Sequence, residues 1–166
     1  MQEPTPPSLH GARSAEAALR PQGLPTHPLV SRLLAVTHGA EVRPQTVEAF
    51  EAAAGDAVVF FGGDPVRFPE ALDVAVVLPE LIAAAGRPVR VGVVPRDCED
   101  AVARRYAVQR WPTLVFLRDG GYLGALSGMQ DWQVYVAALR EVLAREPGRR
   151  PAPTIAIHAA GATGCH

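Results

Sequence analysis

Apolar and polar positions along the chain follow helical and strand-like patterns between residues 28 and 145. Ala57–Phe61 is apolar throughout and predicts a strand buried on both faces. The remaining predicted elements are helices over 28–38, 44–54, 78–85, 98–106 and 131–145, and strands over 89–94, 113–117 and 122–126, with 70–77 ambiguous. Alternation of this kind predicts a three-layer α/β/α sandwich with a mixed sheet: parallel strands come first and an antiparallel hairpin comes last.

The stretch from Trp111 to Gly128 gives the most specific local signal. Pro112 disfavours helix for the residue before it, and the run that follows, 113–117, is β-branched or apolar. Asp119-Gly120 then provides the two positive φ angles of a tight hairpin turn. The sequence therefore predicts a β-hairpin with a proline before its first strand, and it leaves open whether the Trp111–Pro112 bond is cis.

Both ends of the chain differ in composition from the part between them. Residues 1–27 are rich in proline, and residues 147–166 are rich in proline, glycine and alanine. Neither stretch carries an apolar period long enough to bury, so both are predicted to be disordered. One folded domain over residues 28–146 is expected.

Composition narrows the class of protein. The chain has 166 residues, 48% of them hydrophobic, and a net charge of −1. This charge balance argues against binding to nucleic acid, which needs clustered cations. The sequence has neither a signal-peptide pattern nor the roughly 18–20 consecutive apolar residues that span a bilayer, so we expect a cytoplasmic protein without membrane insertion.

The order of the elements around Pro112 resembles the C-terminal half of the thioredoxin fold. Thioredoxins place Cys-x-x-Cys where a strand meets a helix, because the helix N-terminus lowers the pKa of the first thiol. The corresponding junction here, Phe61–Phe68, has no cysteine. Dithiol exchange by the usual route is therefore excluded.

A thioredoxin-like family that lacks these cysteines has similar motifs. Phe60–Pro65, Arg67–Glu70, and Phe116–Gly128 followed by Trp132 resemble the hydrogenase maturation proteins of the HyaE/HupG/HoxO type, over about residues 28–145. The resemblance implies a dedicated chaperone that is not an enzyme and has no cofactor. Its implied partner is the precursor of the [NiFe] hydrogenase small subunit, bound through its twin-arginine signal peptide or its body before export. Other hydrogenase maturation proteins are further possible partners.

A receptor for a twin-arginine peptide needs carboxylates beside an apolar groove, because arginine and carboxylate form bidentate pairs. The edge next to the proline of a thioredoxin fold receives extended peptides, which favours main-chain pairing there. Each candidate also has a plain structural interpretation as a turn former, a solvated charge or a core side chain. The predicted partner-binding residues are Asp64, Phe68, Glu70, Asp73, Arg110, Trp111 and Pro112.

Two other functions stay open at this point. Cys98 follows Asp97, a predicted helix N-cap, and the helix dipole would favour its thiolate, so a single-cysteine oxidoreductase or peroxidase is one alternative. A structural subunit of a larger maturation complex is the other. His158, Cys165 and His166 are three potential metal ligands, but they lie in the predicted disordered tail and are weak evidence for a metal site. The other histidines, His10, His27 and His38, show no ligand spacing, so we predict no metal site.

Overall fold

The computed structural model describes residues 26–152. A short 3₁₀ turn, Arg96–Cys98, precedes the fourth helix. The helices are α1 (Pro28–Thr37), α2 (Val47–Ala52), α3 (Glu70–Ala83), α4 (Glu99–Arg105) and α5 (Trp132–Leu143). The strands are β1 (Ala40–Glu41), β2 (Asp56–Phe61), β3 (Val89–Val93), β4 (Thr113–Arg118) and β5 (Gly121–Ser127).

The strands form one mixed sheet in the order β1-β3-β2-β4-β5. β3 runs parallel to both β1 and β2, and β4 runs antiparallel to both β2 and β5. Val58 of β2 lies between Val91 and Phe116 in the register of the sheet. This arrangement confirms the predicted thioredoxin-like sandwich, with β2 at the centre of the sheet.

Apolar side chains cover the two faces of the sheet in two separate clusters. All six residues of β2 are buried, because successive side chains of a central strand point to opposite faces and both faces are covered. Val58 and Phe60 pack with α1, α3 and α5, whereas Ala57, Val59 and Phe61 pack with α2 and α4. The sequence pattern of a fully apolar strand is therefore explained by helices on both sides.

The hairpin between β4 and β5 has the predicted turn. Asp119 has a φ of 48° and Gly120 a φ of 82°, the positive values that a type I′ turn requires. The Asp119 carboxylate also accepts a hydrogen bond of 2.8 Å from the N–H of Gly55. The turn is thus tied to the start of β2, and the predicted hairpin is confirmed.

Some element boundaries differ from the prediction. α3 begins at Glu70 and contains Pro79 in its interior, whereas a helix starting at Leu78 was expected. Its first half buries Ala71 and Val74 against the sheet, and this packing compensates for the hydrogen bond that Pro79 cannot donate. β1 was not predicted, because a strand of two residues is too short to show an alternation of apolar and polar positions.

The start of α4 also differs from the prediction. Asp97 lies in the 3₁₀ turn, and its carboxylate accepts hydrogen bonds from Arg43 instead of capping the helix. On α5, Trp132 in the first turn is 45% exposed, whereas Val136, Leu139 and Leu143 are buried against the sheet.

The C-terminal segment packs further than the expected domain boundary at residue 146. Gly148 exchanges two backbone hydrogen bonds with Tyr122 of β5, and Arg150 forms an ion pair of 3.0 Å with Glu51 of α2. Edge pairing and a buried carboxylate hold this segment although it has no apolar period. The predictions for residues 1–25 and 153–166, Cys165 and His166 included, lie outside the described residues.

Candidate partner-binding site

The loop between β2 and α3 replaces the redox loop of a thioredoxin. Asp64 organises it: its backbone carbonyl accepts from the N–H groups of Arg67 and Phe68 at 2.9 and 2.8 Å, and its carboxylate accepts from Val66 N–H at 2.9 Å. The same carboxylate pairs with Arg96 at 2.8 Å. Asp64 is therefore already neutralised within the chain, which supports its interpretation as a turn former.

An aromatic pair lies against this loop. The rings of Phe68 and Trp111 stack with centroids 5.9 Å apart and an interplanar angle of 27°. The guanidinium of Arg67 lies 5.6 Å from the centroid of Phe68. Both aromatic residues are half-buried, so the structure brings these two predicted contact residues together, partly open to solvent.

Gly63 makes the close approach of these rings possible. Its φ is +69°, and a Cβ at this position would lie 2.7 Å from Cδ2 of Phe68 and 2.9 Å from Cδ1 of Trp111. Contacts below 3.0 Å require a shift of the ring or of the backbone. Glycine is needed here for space as well as for backbone conformation.

The Trp111–Pro112 peptide bond is cis. Pro112 is buried, and its carbonyl accepts a hydrogen bond of 2.8 Å from the N–H of Gly128. Thr113 bonds the carbonyl of Arg110 and the hydroxyl of Ser127, both at 2.8 Å. The start of β4 and the end of β5 are therefore joined, and the exposed Arg110 stands at their edge.

Exposed apolar side chains follow at the same end of the sheet. Val66 of the loop is 88% exposed, and Met129 after β5 is 42% exposed. Phe61 pairs with Thr113 and Thr113 with Ser127, so the loop, the cis-proline and the end of β5 meet at this end. We call the surface formed by Val66, Phe68, Trp111 and Met129, next to the buried Pro112, the rim.

The predicted acidic residues are not gathered into one receptor. Glu70 and Asp73 lie in the first turn of α3, where carboxylates stabilise the helix dipole. Asp73 is exposed and Glu70 half-buried, while Asp64 pairs with Arg96. The exposed position of Asp73 agrees with its interpretation as a solvated charge. A role in partner binding stays a prediction for Asp64, Glu70 and Asp73.

Sequence reasoning missed Glu99, the buried acid beneath the loop. Glu99 is 6% exposed, and its Oε1 accepts a hydrogen bond of 3.0 Å from the N–H of Gly63. Burial raises the pKa of this carboxyl, while the N–H groups of Gly63 and Gly62 and the nearby Trp111 indole oppose the rise. Trp111 Nε1 itself is buried and has no partner of good hydrogen-bond geometry in the described chain. In the sequence, Glu99 looked only like a first-turn acid, because its burial depends on residues far away in the chain.

A cavity of about 250 Å³ lies beside the loop, and it is lined by Gly62, Gly63 and Pro65 but by neither ring of the aromatic pair. It is bounded by the start of α1, the carboxyl ends of β2 and β3, and the first turn of α3. Apolar side chains form most of its wall, and Glu99 lies in the wall as well. No pattern in the sequence predicted it.

Cys98 does not have the environment of a reactive thiol. Its side chain is half-buried, and Sγ lies 3.5 Å from the carbonyl oxygen of Pro95. Burial and the neighbouring Asp97 carboxylate raise the thiol pKa, which disfavours the thiolate. The expectation that a helix dipole activates Cys98 is therefore wrong. Residue 98 precedes α4, a helix of seven residues, and the local charge is negative.

Residues 26–152 contain no group of three or more potential metal ligands. Within the same range no helix is long and apolar enough to cross a membrane.

Comparison with known proteins identifies the family. The sequence profile described as "Hydrogenase-1 expression protein HyaE" matches residues 29–135. The chain belongs to the HyaE family. The resemblance drawn from the loop and hairpin motifs is thereby confirmed, and a role in hydrogenase maturation follows from membership of this family.

Individual relatives match most of the length of this HyaE-family protein. The hydrogenase expression/formation protein HoxO of Cupriavidus necator is 42% identical over 160 residues, 92% of this chain and 99% of its own. HupG of Bradyrhizobium diazoefficiens is 45% identical over 125 residues, 72% of this chain and 84% of its own. A crystal structure of a HupG from Rhodopseudomonas palustris, 40% identical, covers 63% of this chain and 95% of its own with a TM-score of 0.45.

Proposed function

We propose that the protein is a non-enzymatic chaperone that holds the precursor of the [NiFe] hydrogenase small subunit in the cytoplasm before export. The observation that carries this proposal is the loop after β2. Where a thioredoxin carries its two thiols, the loop has two glycines, an exposed Val66 and Phe68, whose ring stacks on Trp111 from the segment before β4. The scaffold retains a surface for peptides but lacks the cysteines of exchange chemistry.

The rim is suited to an extended peptide with an apolar stretch. Val66 and Met129 offer apolar area to a ligand, and burying one such side chain contributes about 1.5–3 kcal/mol. Arg110 and Trp111 precede β4 and lie outside its pairing with β2 and β5, so main-chain pairing of a peptide with these residues would be recognition by β-addition. A twin-arginine signal peptide, with guanidiniums beside an apolar stretch, is the segment we propose to bind.

The family and the state of Cys98 both favour a non-enzymatic role over thiol chemistry. A thiolate is the reacting species in peroxidase and exchange reactions, and the raised pKa of Cys98 lowers its population. A peroxide-reduction assay with a Cys98→Ser control distinguishes the two functions. Turnover that disappears in Cys98→Ser would replace the chaperone proposal with the enzymatic one.

Calorimetric titration with the small-subunit precursor tests the proposal directly. The precursor is measured with its signal peptide, without it, and with both arginines of the peptide changed to glutamine. Binding that needs the signal peptide and weakens at least about tenfold in the glutamine variant is expected, since charge-assisted bonds contribute about 1.5–3 kcal/mol. Absence of binding to every form would overturn the proposal. Measuring the mass of the native complex distinguishes a chaperone from a permanent subunit of a larger assembly.

A further inference from the structure

The cavity beside the loop has an apolar wall with one buried carboxylate in it. We infer that this cavity receives a single arginine side chain of the partner, with Glu99 as the counter-charge. The identity of the partner rests on the proposed function, but the preference of the cavity for a guanidinium on an apolar stem does not.

The size and wall of the cavity favour a long side chain with an apolar stem. The volume is about 250 Å³, and the apolar wall is formed by Val30, Leu34, Phe60, Ala71, Leu72 and Val93. A wall of this kind excludes a small hydrated ion, which would lose its water without replacement. Arginine combines three methylene groups with a weakly hydrated planar head, so it can enter such a site.

Glu99 supplies the polar end of the cavity. Oε1 accepts the Gly63 N–H at 3.0 Å, and the Gly62 N–H and the Trp111 indole N–H also act on this carboxyl without meeting full hydrogen-bond geometry. These donors are uncharged, so they do not neutralise an ionised carboxylate. A guanidinium that enters the cavity can add a charge-assisted bond, and a buried carboxylate without a counter-charge is costly.

Protonation keeps the empty site stable. Burial raises the pKa of Glu99, so the carboxyl holds its proton to higher pH than a free glutamate does. A guanidinium that enters would displace this proton to solvent and form a charge-assisted pair. Binding should therefore release protons in the pH range where the free protein keeps Glu99 protonated.

The other charged groups around the cavity do not neutralise Glu99 in advance. Arg96 is held by Asp64 at 2.8 Å, and Arg43 is held by Glu41 and Asp97 at 3.2 and 3.0 Å. Asp100, next to Glu99 on α4, raises its pKa further. The titratable or charged groups that line the cavity or act on Glu99 are His27, Glu41, Arg96 and Asp100.

The test uses a minimal ligand and its uncharged isostere. N-acetyl-arginine amide and N-acetyl-citrulline amide are titrated into the full chain while the backbone amides of Gly62 and Gly63 are followed by NMR. We expect saturable shifts with the arginine compound at millimolar concentration, and binding at least about tenfold weaker with citrulline. Equal binding of the two compounds would show an apolar pocket and overturn the inference. So would the absence of saturable shifts with either.

Two variants separate charge from shape. Glu99→Gln keeps an acceptor for Gly63 but removes the charge, and it should lose the preference for arginine over citrulline. Leu72→Trp narrows the cavity without touching Glu99 and should weaken both ligands. Calorimetry in two buffers of different ionisation enthalpy should show proton release in the wild type that declines as the pH rises and is absent in Glu99→Gln. An unchanged preference for arginine in Glu99→Gln would refute the assignment.

Failure of this inference is distinguishable from failure of the proposed function. If the precursor binds wild type and Glu99→Gln equally well, the chaperone proposal stands and the cavity assignment is wrong. If arginine amide binds through Glu99 but no precursor binds, the assignment of the cavity stands and the proposed partner is wrong.

Discussion

At the scale of single residues, Gly63 determines whether the loop can close over the aromatic pair. We predict that Gly63→Ala destabilises the fold by about 1–3 kcal/mol, because it adds a clash to an unfavourable φ. Gly55→Ala is the matched control: its φ is +88°, but nothing lies within 4 Å of the added Cβ, so only the backbone cost applies. Urea unfolding measures the free energy of unfolding of both variants. Equal losses of stability would show that the contacts of the added Cβ with Phe68 and Trp111 do not contribute.

Glu51 is the second residue with a clear energetic role. Its carboxylate accepts from Arg105 at 2.6 Å, from the Tyr106 hydroxyl at 2.7 Å and from Arg150 at 3.0 Å. We expect Glu51→Gln to cost about 1–3 kcal/mol at pH 7, because both arginines are partly exposed and can rehydrate. Glu48→Gln is the control. Glu48 forms an ion pair with the same Arg105, at 3.5 Å, but its side chain is largely exposed. The Glu48→Gln change should therefore alter the free energy of unfolding little.

The two buried glutamates should respond to pH in opposite directions. Burial alone would raise the pKa of Glu51, but hydrogen bonds from Arg105 and Tyr106 lower it overall. The stability Glu51 provides is therefore present above its unfolded pKa of about 4.5 and is lost as the pH falls through the lower folded value. Burial raises the pKa of Glu99 in the folded protein above its ordinary value of 4.5. Ionisation of this carboxyl therefore destabilises the fold as the pH rises from 4.5 through the folded pKa.

Chemical denaturation at about pH 3, 5 and 7 checks these signs. The difference between wild type and Glu51→Gln should shrink towards pH 3. Glu99→Gln should gain stability relative to wild type as the pH rises above 4.5, the ordinary pKa of the glutamate carboxyl. Parallel pH profiles for all three proteins would contradict the opposite pKa shifts.

At the scale of elements, the C-terminal segment is held to the domain by few contacts, so the contribution of each contact can be measured separately. Arg150→Ala removes the ion pair to Glu51 and should cost up to about 1 kcal/mol, since its side chain is 38% exposed. Its neighbour Arg149 is exposed and serves as the control, with a change within about 0.5 kcal/mol expected for Arg149→Ala. The measurement is the urea midpoint of each variant, together with hydrogen exchange at Tyr122, whose amide bonds Gly148. Equal exchange in both variants would mean that the edge pairing alone holds the segment.

The elements also show what local sequence can and cannot predict. Asp119-Gly120 determines its turn through its own backbone preferences, so the hairpin could be predicted. α3 could not be bounded, because Pro79 argues against a helix that tertiary packing nevertheless stabilises. Glu99 was missed for the same reason: its burial is decided by Gly63 and Trp111, which come from other parts of the chain.

At the scale of the whole molecule, strand register decides which predicted site residues meet. Pairing of Phe61 with Thr113 brings the loop after β2 to the cis-proline and places Phe68 against Trp111. The predicted acids had no such constraint, and they lie in a turn and on the first turn of α3. The apolar half of the site could thus be predicted from the fold pattern, whereas the position of the carboxylate facing the cavity depends on the complete three-dimensional arrangement.

At the same scale, the rim is a surface built from separate parts of the domain, and it is the surface proposed to bind the precursor. Val66 is 88% exposed, so Val66→Ser should leave the free energy of unfolding within about 0.5 kcal/mol of wild type. If the rim binds the precursor, the same change should weaken that binding by about tenfold, because the burial of an apolar side chain is lost. Val36→Ser on α1, where the valine is 52% exposed, is the matched control and should leave affinity unchanged. Wild-type affinity in both variants, measured by calorimetry, would place the binding surface outside the rim. Weakening in both would point to a general effect of removing exposed apolar area, and loss in Val66→Ser alone would place the partner on the surface that the loop after β2 shares with the cis-proline.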